Sequence, residues 1–170
     1  YVAEKTAERL AGDSLDMDLS RLTAVGLHVD GVTTVMLCHA EDDERAALAA
    51  VIRLASDFVR PIITYNGLNF DLPMLMRRAR WLGVKFPIIN LDRYLTPHRD
   101  LLAELSDRDP SRRRPLGFYV RRHGWTDLTK PLSGEEEARV HETGDWAGLQ
   151  ASVEHDIEAT RRLAVWLGVL

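Results

Sequence analysis

Residues 61–82 read PIITYNGLNFDLPMLMRRARWL, and the parsing of this stretch decides how the remainder is organised. Ile62, Ile63, Thr64 and Tyr65 make a short β-branched and aromatic run bounded by Pro61 and Gly67, the pattern of a buried strand. Asn66-Gly67 is also a strong hairpin signal. The residues beyond it, however, do not alternate. Asp71, Leu75, Ala79 and Leu82 recur instead at helical spacing, and Pro73 is acceptable in a first helical turn. The stretch therefore reads as strand, loop and helix, with Asp71 at the mouth. The ordinary role of such an aspartate is an N-cap that satisfies free backbone N–H groups.

Upstream, residues 8–20 are acidic and polar and read as a loop. Residues 21–29 and 32–39 read as two antiparallel strands joined at Asp30-Gly31, a hairpin turn signal. Asp42 and Asp43 then cap a helix expected over 44–58, with Ala47, Val51, Leu54 and Ala55 or Phe58 as its apolar stripe. Downstream, residues 92–105 read as a loop leading into a short helix. A charged loop at 107–115 and a helix over 116–123 ending at Gly124 follow. Residues 125–137 are turn-rich, with Pro131 and Gly134 as breakers. Between the N-cap candidate Asp145 and the C-terminal Gly168, residues 146–167 form a long helix. Its stripe of Leu149, Ser152, Val153, Asp156, Ile157, Thr160, Leu163, Ala164 and Leu167 contains one charge, Asp156. A carboxylate inside an apolar stripe calls for a cation, a hydrogen-bond network or a shifted pKa.

Composition narrows the class. At 170 residues and 45% hydrophobic, the chain suits one domain over residues 1–170. A hairpin, a helix, then strand and helix is the order of an α/β sandwich with a mixed sheet flanked by helices. No apolar run approaches a membrane span, and Cys38 is the single cysteine, so a reduced, cytoplasmic protein without a membrane partner is expected. The net charge of −4 lacks the basic footprint usual for nucleic-acid binding. The charge is uneven, though: residues 93–123 carry eight arginines against four acids.

Two strings carry a family resemblance. Tyr65-Asn66-Gly67-x-x-Phe70-Asp71-x-Pro73-x-Leu75-x-x-Arg78-Ala79 resembles the second acidic motif of RNase H-like 3′-5′ exonucleases of the DEDD superfamily. The group related to the exonuclease domain of family B DNA polymerases looks nearest. His155-Asp156-Ile157-Glu158-Ala159-Thr160 resembles the third acidic motif of the same enzymes, and the two stand in the expected order. The resemblance implies an RNase H-like fold and hydrolysis of phosphodiesters at DNA or RNA 3′ ends, with carboxylates from separate elements holding two Mg²⁺ or Mn²⁺ ions. Such a pair lowers the pKa of the attacking water and stabilises the leaving oxygen. The ions also let an acidic site receive an anionic substrate.

By that resemblance Asp71 and Asp156 are metal ligands and catalytic, and Glu4, in Val2-Ala3-Glu4-Lys5-Thr6, is the glutamate of the first motif. Two positions depart from the pattern. Val2 stands where the first-motif aspartate belongs, with Asp13, Asp16 and Asp18 as loop acids nearby; Ser152 stands where a tyrosine-type general base belongs, one turn before Asp156, and Ala151 where the histidine-type base belongs. Ser152 and His155 are the candidates for the base, with His141 a third. Asn66 and Phe70 suit a terminal nucleotide, and Arg112, Arg113 and Arg114 suit phosphates. His98-Arg99-Asp100-Leu101 resembles a His-x-Asp-Leu string of these relatives; as bare residues it reads as a surface ion pair. Phe118, Tyr119 and Trp125 are candidates for base stacking or for the core. The two departures keep a second function open: an exonuclease-like module that binds nucleic acid or partners without cleaving.

Overall fold

The computed structural model describes residues 20–56, 62–87 and 98–170. Glu4, Val2, Asp13, Asp16, Asp18 and Phe58 lie outside them, as does the segment 88–97. The architecture is mixed α/β. An antiparallel hairpin of β1 (Ala24–Val29) and β2 (Val32–Leu37) leads into α1 (Glu41–Ser56). Next come β3 (Ile63–Thr64), α2 (Asp71–Trp81), β4 (Arg99–Asp100) and α3 (Leu101–Leu105). A 3₁₀ turn at Pro110–Arg112 precedes α4 (Leu116–Arg122), α5 (Gly134–Ala138), α6 (Val140–Thr143) and the long α7 (Trp146–Trp166).

The hairpin forms where its turn residues place it. Asp30 and Gly31 both take positive φ, 48° and 83°, which matches the twist of the strands they join. Helix α1 begins three residues earlier than expected. Glu41, Asp42, Asp43 and Glu44 occupy its first turn, where the helix dipole favours acids. Asp43 reaches back to accept from the backbone N–H of His39 and Ala40, both at 2.9 Å. The apolar run at 62–65 yields only two strand residues. They pair in parallel with β4, a strand too short to show a period, so the expected loop over 92–105 is corrected there. Among the described residues no ladder joins this pair to the hairpin.

Two apolar clusters hold the elements. Leu22, Val25, Cys38, Ala47, Leu48, Val51, Met74, Ala79 and Leu82 join the hairpin, α1 and α2. Leu101, Tyr119, Leu163 and Ala164 join α3, α4 and α7, with Ile63, Tyr65 and Phe118 against them. Phe118 and Tyr119 therefore belong to packing rather than to a stacking surface. Beneath the first cluster Glu44 is wholly buried; Arg78 donates to it through Nε at 2.8 Å and Nη2 at 3.0 Å, and Arg21 at 3.1 Å. Cys38 lies just past β2 rather than in a strand, and burial pushes its thiol up to about 11.

Helix α7 lies across the hairpin at Gly26, where a Cβ would stand 2.4 Å from Val153 Cγ1 and 2.6 Å from Ile157 Cδ1. Any side chain there would force Val153 and Ile157 to shift. Gly26→Ala is expected to cost about 1–3 kcal/mol by overpacking, read as a lower midpoint in thermal unfolding. Adding Val153→Ala should restore part of that loss, and no recovery would show that the clash is not the cause. The buried face of α7 also differs from the expected stripe. It runs through Leu149, Ser152, His155, Ala159, Leu163 and Ala164, while the Asp156 side chain is 40% exposed at its edge. Likewise α2 buries Leu72, Met74, Arg78 and Ala79, leaving Asp71 exposed.

Candidate functional site

Asp71 opens α2, one residue after the exposed Phe70, which supplies no side-chain cap. The turn before it is built from β3: Thr64 Oγ1 accepts from Gly67 N–H at 3.0 Å, and Asn66 takes φ 68°. A Cβ on Gly67 would strike the Thr64 side chain, so the second residue of the turn must be glycine. Asp100 locks this turn to α3. Its carboxylate accepts from the backbone N–H of Asn66 (2.9 Å), Leu68 (3.1 Å), Leu102 (3.0 Å) and Ala103 (3.4 Å), and the residue is 3% exposed. The surface ion pair expected at Arg99-Asp100 is thus corrected: Arg99 pairs with Glu104, at 2.5 and 2.8 Å, and Asp100 is a buried backbone clamp. His98 completes the clamp through Nε2 at 2.8 Å from Thr64 Oγ1, and burial lowers its pKa.

These elements bring acids from distant parts of the chain within electrostatic reach. Although Asp71 meets solvent at one side, the protein packed around its carboxyl partly desolvates it and pushes it up to about 6; its own backbone N–H opposes this, and the charges of Asp100 and Asp156 add to it. The charges of Asp100 and Asp156 thus both reach Asp71. Asp156 is met by a cation that the sequence reading did not pick out. Lys130 Nζ lies 2.8 Å from Asp156 Oδ2 and 3.0 Å from Glu137 Oε1, and these bonds outweigh desolvation and hold the ammonium above its usual pKa. The other Asp156 oxygen is 2.9 Å from His155 Nδ1. Ser152, buried, donates to Glu137 Oε1. Two of the three residues considered for the base are thus tied into one network: Ser152 through Glu137, and His155 directly on Asp156. Lys130 and Glu137 come from a segment legible only as turns, and the sequence carried no sign that it folds back onto α7.

The expected substrate-side residues sit around the same turn. Tyr65 Oη donates to the Arg114 carbonyl, which fastens the arginine loop beside Asn66. Arg112 is already engaged with Asp107 at 2.7 Å and Asp109 at 3.4 Å. Arg113 and Arg114 are exposed. His141 instead packs edge-on to Trp146, 4.9 Å between ring centres.

No family model, no curated protein and no solved structure matches this chain. Its chemistry therefore rests on the donor set. Among the described residues no three His, Cys, Asp or Glu side chains gather to hold a metal ion. Asp71 and Asp156 are hard-oxygen donors of the kind Mg²⁺ or Mn²⁺ takes; the glutamate assigned to complete them, Glu4, lies outside the described residues. No helix among the described residues is long and apolar enough to cross a membrane.

The raised pKa of Asp71 carries a pH signature. A carboxyl whose folded pKa exceeds its unfolded value favours the native state only while protonated, so its penalty grows as pH rises from about 4 through about 6. Since Asp71 still meets solvent, screening reduces that penalty to about 1 kcal/mol. Asp71→Asn is accordingly expected to raise the melting temperature by about 2–4 °C at pH 7.5 and to leave it unchanged at pH 4. Equal shifts at both values would remove the electrostatic explanation.

Proposed function

We propose that this chain is an RNase H-like, metal-dependent 3′-5′ exonuclease acting on DNA or RNA ends. One observation supports the reading: two carboxylates 85 positions apart in sequence, Asp71 and Asp156, come within electrostatic reach of one another at the mouth of α2. Nature rarely assembles like charges without something to bind between them. Asp71 and Asp156, with Glu4, would hold two Mg²⁺ or Mn²⁺ ions, which when bound supply an activated water and charge stabilisation at the leaving oxygen.

The chain's own groups set the remaining roles. Asp100 orients the turn that carries Asn66 and keeps Asp71 at the helix mouth through its backbone bonds. The Phe70 ring, 38% exposed, offers an apolar face to a terminal base. Arg113 and Arg114, on the loop fastened by Tyr65, offer cations to the phosphates behind it. His155 aligns the Asp156 carboxylate. Ser152 spends its proton on Glu137 and so serves the network rather than the water. The test is shortening of a strand labelled at its 5′ end, with Mg²⁺ or Mn²⁺ and with chelator. Loss of 3′ nucleotides only with metal is the expected result, and no shortening with either metal rejects the reading.

A second reading is favoured by Lys130. Its ammonium already neutralises Asp156, as a protein that had given up the metal would require. On this reading the chain binds nucleic acid or a partner without cleaving it. Salt-dependent binding that chelator leaves untouched, with no turnover, is the outcome that selects it.

A further inference from the structure

Away from the acids, the end of α4 meets the end of α7 in an aromatic and basic surface that the proposed chemistry leaves unused. His123 stacks on Trp125 with ring centres 4.7 Å apart and 14° between planes, and meets Trp166 edge-on at 4.7 Å. Trp166 is 56% exposed. Arg162 lies 6.0 Å over the Trp125 ring and is tied to Asp127 and Glu158, which props that ring in place. Arg121 and Arg122, in the turn that carries His123, are exposed and form no ion pair among the described residues.

We propose that Trp166 and His123 form a stacking platform for single-stranded nucleic acid, with Arg121 and Arg122 taking its phosphates. The inference shares with the function proposed above only the class of partner. Charge decides the occupant. Arg121 and Arg122 stand exposed beside the rings in a chain of net charge −4, so a polyanion is drawn here in particular, whereas a second copy would bring like-charged arginines together. Flat aromatic faces beside unpaired guanidinium groups are what strands bound without sequence preference use. From Asp156 to Trp166 is ten residues of one helix, about 15 Å along the axis and about 80° around it. A strand held at the acids can therefore reach the platform several nucleotides from its end.

The test is fluorescence anisotropy of labelled dT12 and rU12 with the chain, over a salt series. Trp166→Ala should weaken binding of both about tenfold, and Arg121→Glu with Arg122→Glu should flatten the salt dependence by about 1.4 in log–log slope. Trp81→Ala, which removes a still more exposed indole on α2, should change nothing. Circular dichroism confirms that each variant is folded. Parental affinity in Trp166→Ala, no binding by the parent, or displacement of the strand by polyglutamate of equal charge would each overturn the platform. Failure of the nuclease reading is separable: a parent that binds dT12 through Trp166 but never shortens it sinks the exonuclease and leaves the platform standing. If the parent does cleave, Trp166→Ala should cut a dinucleotide, too short to reach the platform, at the parental rate and a 12-mer more slowly.

Discussion

Asp71→Ala and Asp156→Ala are each expected to lower metal-dependent shortening at least about a hundredfold, because a metal pair supplies several kcal/mol to the transition state. The two variants should differ in everything else. Removing Asp71 relieves a crowded, raised carboxyl, so Asp71→Ala should fold at least as well as the parent at neutral pH. Removing Asp156 strips Lys130 and His155 of their shared partner and leaves the half-buried ammonium with Glu137 alone. Asp156→Ala should therefore lose activity and melt lower. Isothermal titration with Mn²⁺ gives a readout independent of turnover: heat of binding present in the parent and absent from both variants is expected. If the parent shortens a strand and either variant does so at the parental rate, that residue is not a ligand. If Mn²⁺ binding survives in Asp71→Ala and Asp156→Ala alike, the ion sits elsewhere and the proposed centre fails.

The other large effect concerns stability. Arg78→Ala should cost about 3–5 kcal/mol, because it withdraws a two-pronged partner from a glutamate with no exposed surface. Arg21 remains at 3.1 Å but is 44% exposed, and one solvated cation offsets only part of the loss. The Leu22 N–H keeps its 3.1 Å bond to the same carboxylate, so Glu44 cannot turn away without orphaning a backbone donor. For a chain of this size the loss is a fall of roughly 6–20 °C in melting temperature. Replacing Glu44 by Gln together with Arg78 by Met should cost much less than Arg78→Ala alone, since the penalty lies in the unpaired buried charge rather than in the missing contact. A drop under 2 °C for Arg78→Ala would show that the charge finds water, and that this pair does not clamp α1 to α2.

Local features were readable wherever chemistry is local. Asp30-Gly31 demands positive φ and marks the hairpin, Asp145 caps α7 through the Gly148 N–H at 2.9 Å, and Gly168 takes φ 68° where the last helix stops. Long helices show their period, so α2 and α7 lie within a residue or so of where they were expected. Which flank of a period is buried is less readable. On α7 a spacing of three and four from Ser152 passes through His155 and Ala159 as well as through Asp156 and Thr160, and the folded chain buries the first row. Two-residue strands and five-residue helices carry no period at all, so β4 and α5 leave no mark in the sequence.

Residue type, element and resemblance point to Asp71 and Asp156, but their separation in space is not written in the sequence. The charge of Asp156 reaches Asp71 because the turn after β3 is pinned by Asp100 and α7 is laid against the hairpin. Lys130 shows the same division more sharply. Nothing in a turn-rich segment forecasts which carboxylate its lysine will meet, since that depends on the return path of the backbone between α4 and α5. Turn chemistry, caps and periodicity are written in neighbouring residues and survive being read one window at a time. The company each charge keeps is set by packing between residues far apart in the chain, and only the folded molecule brings it into being.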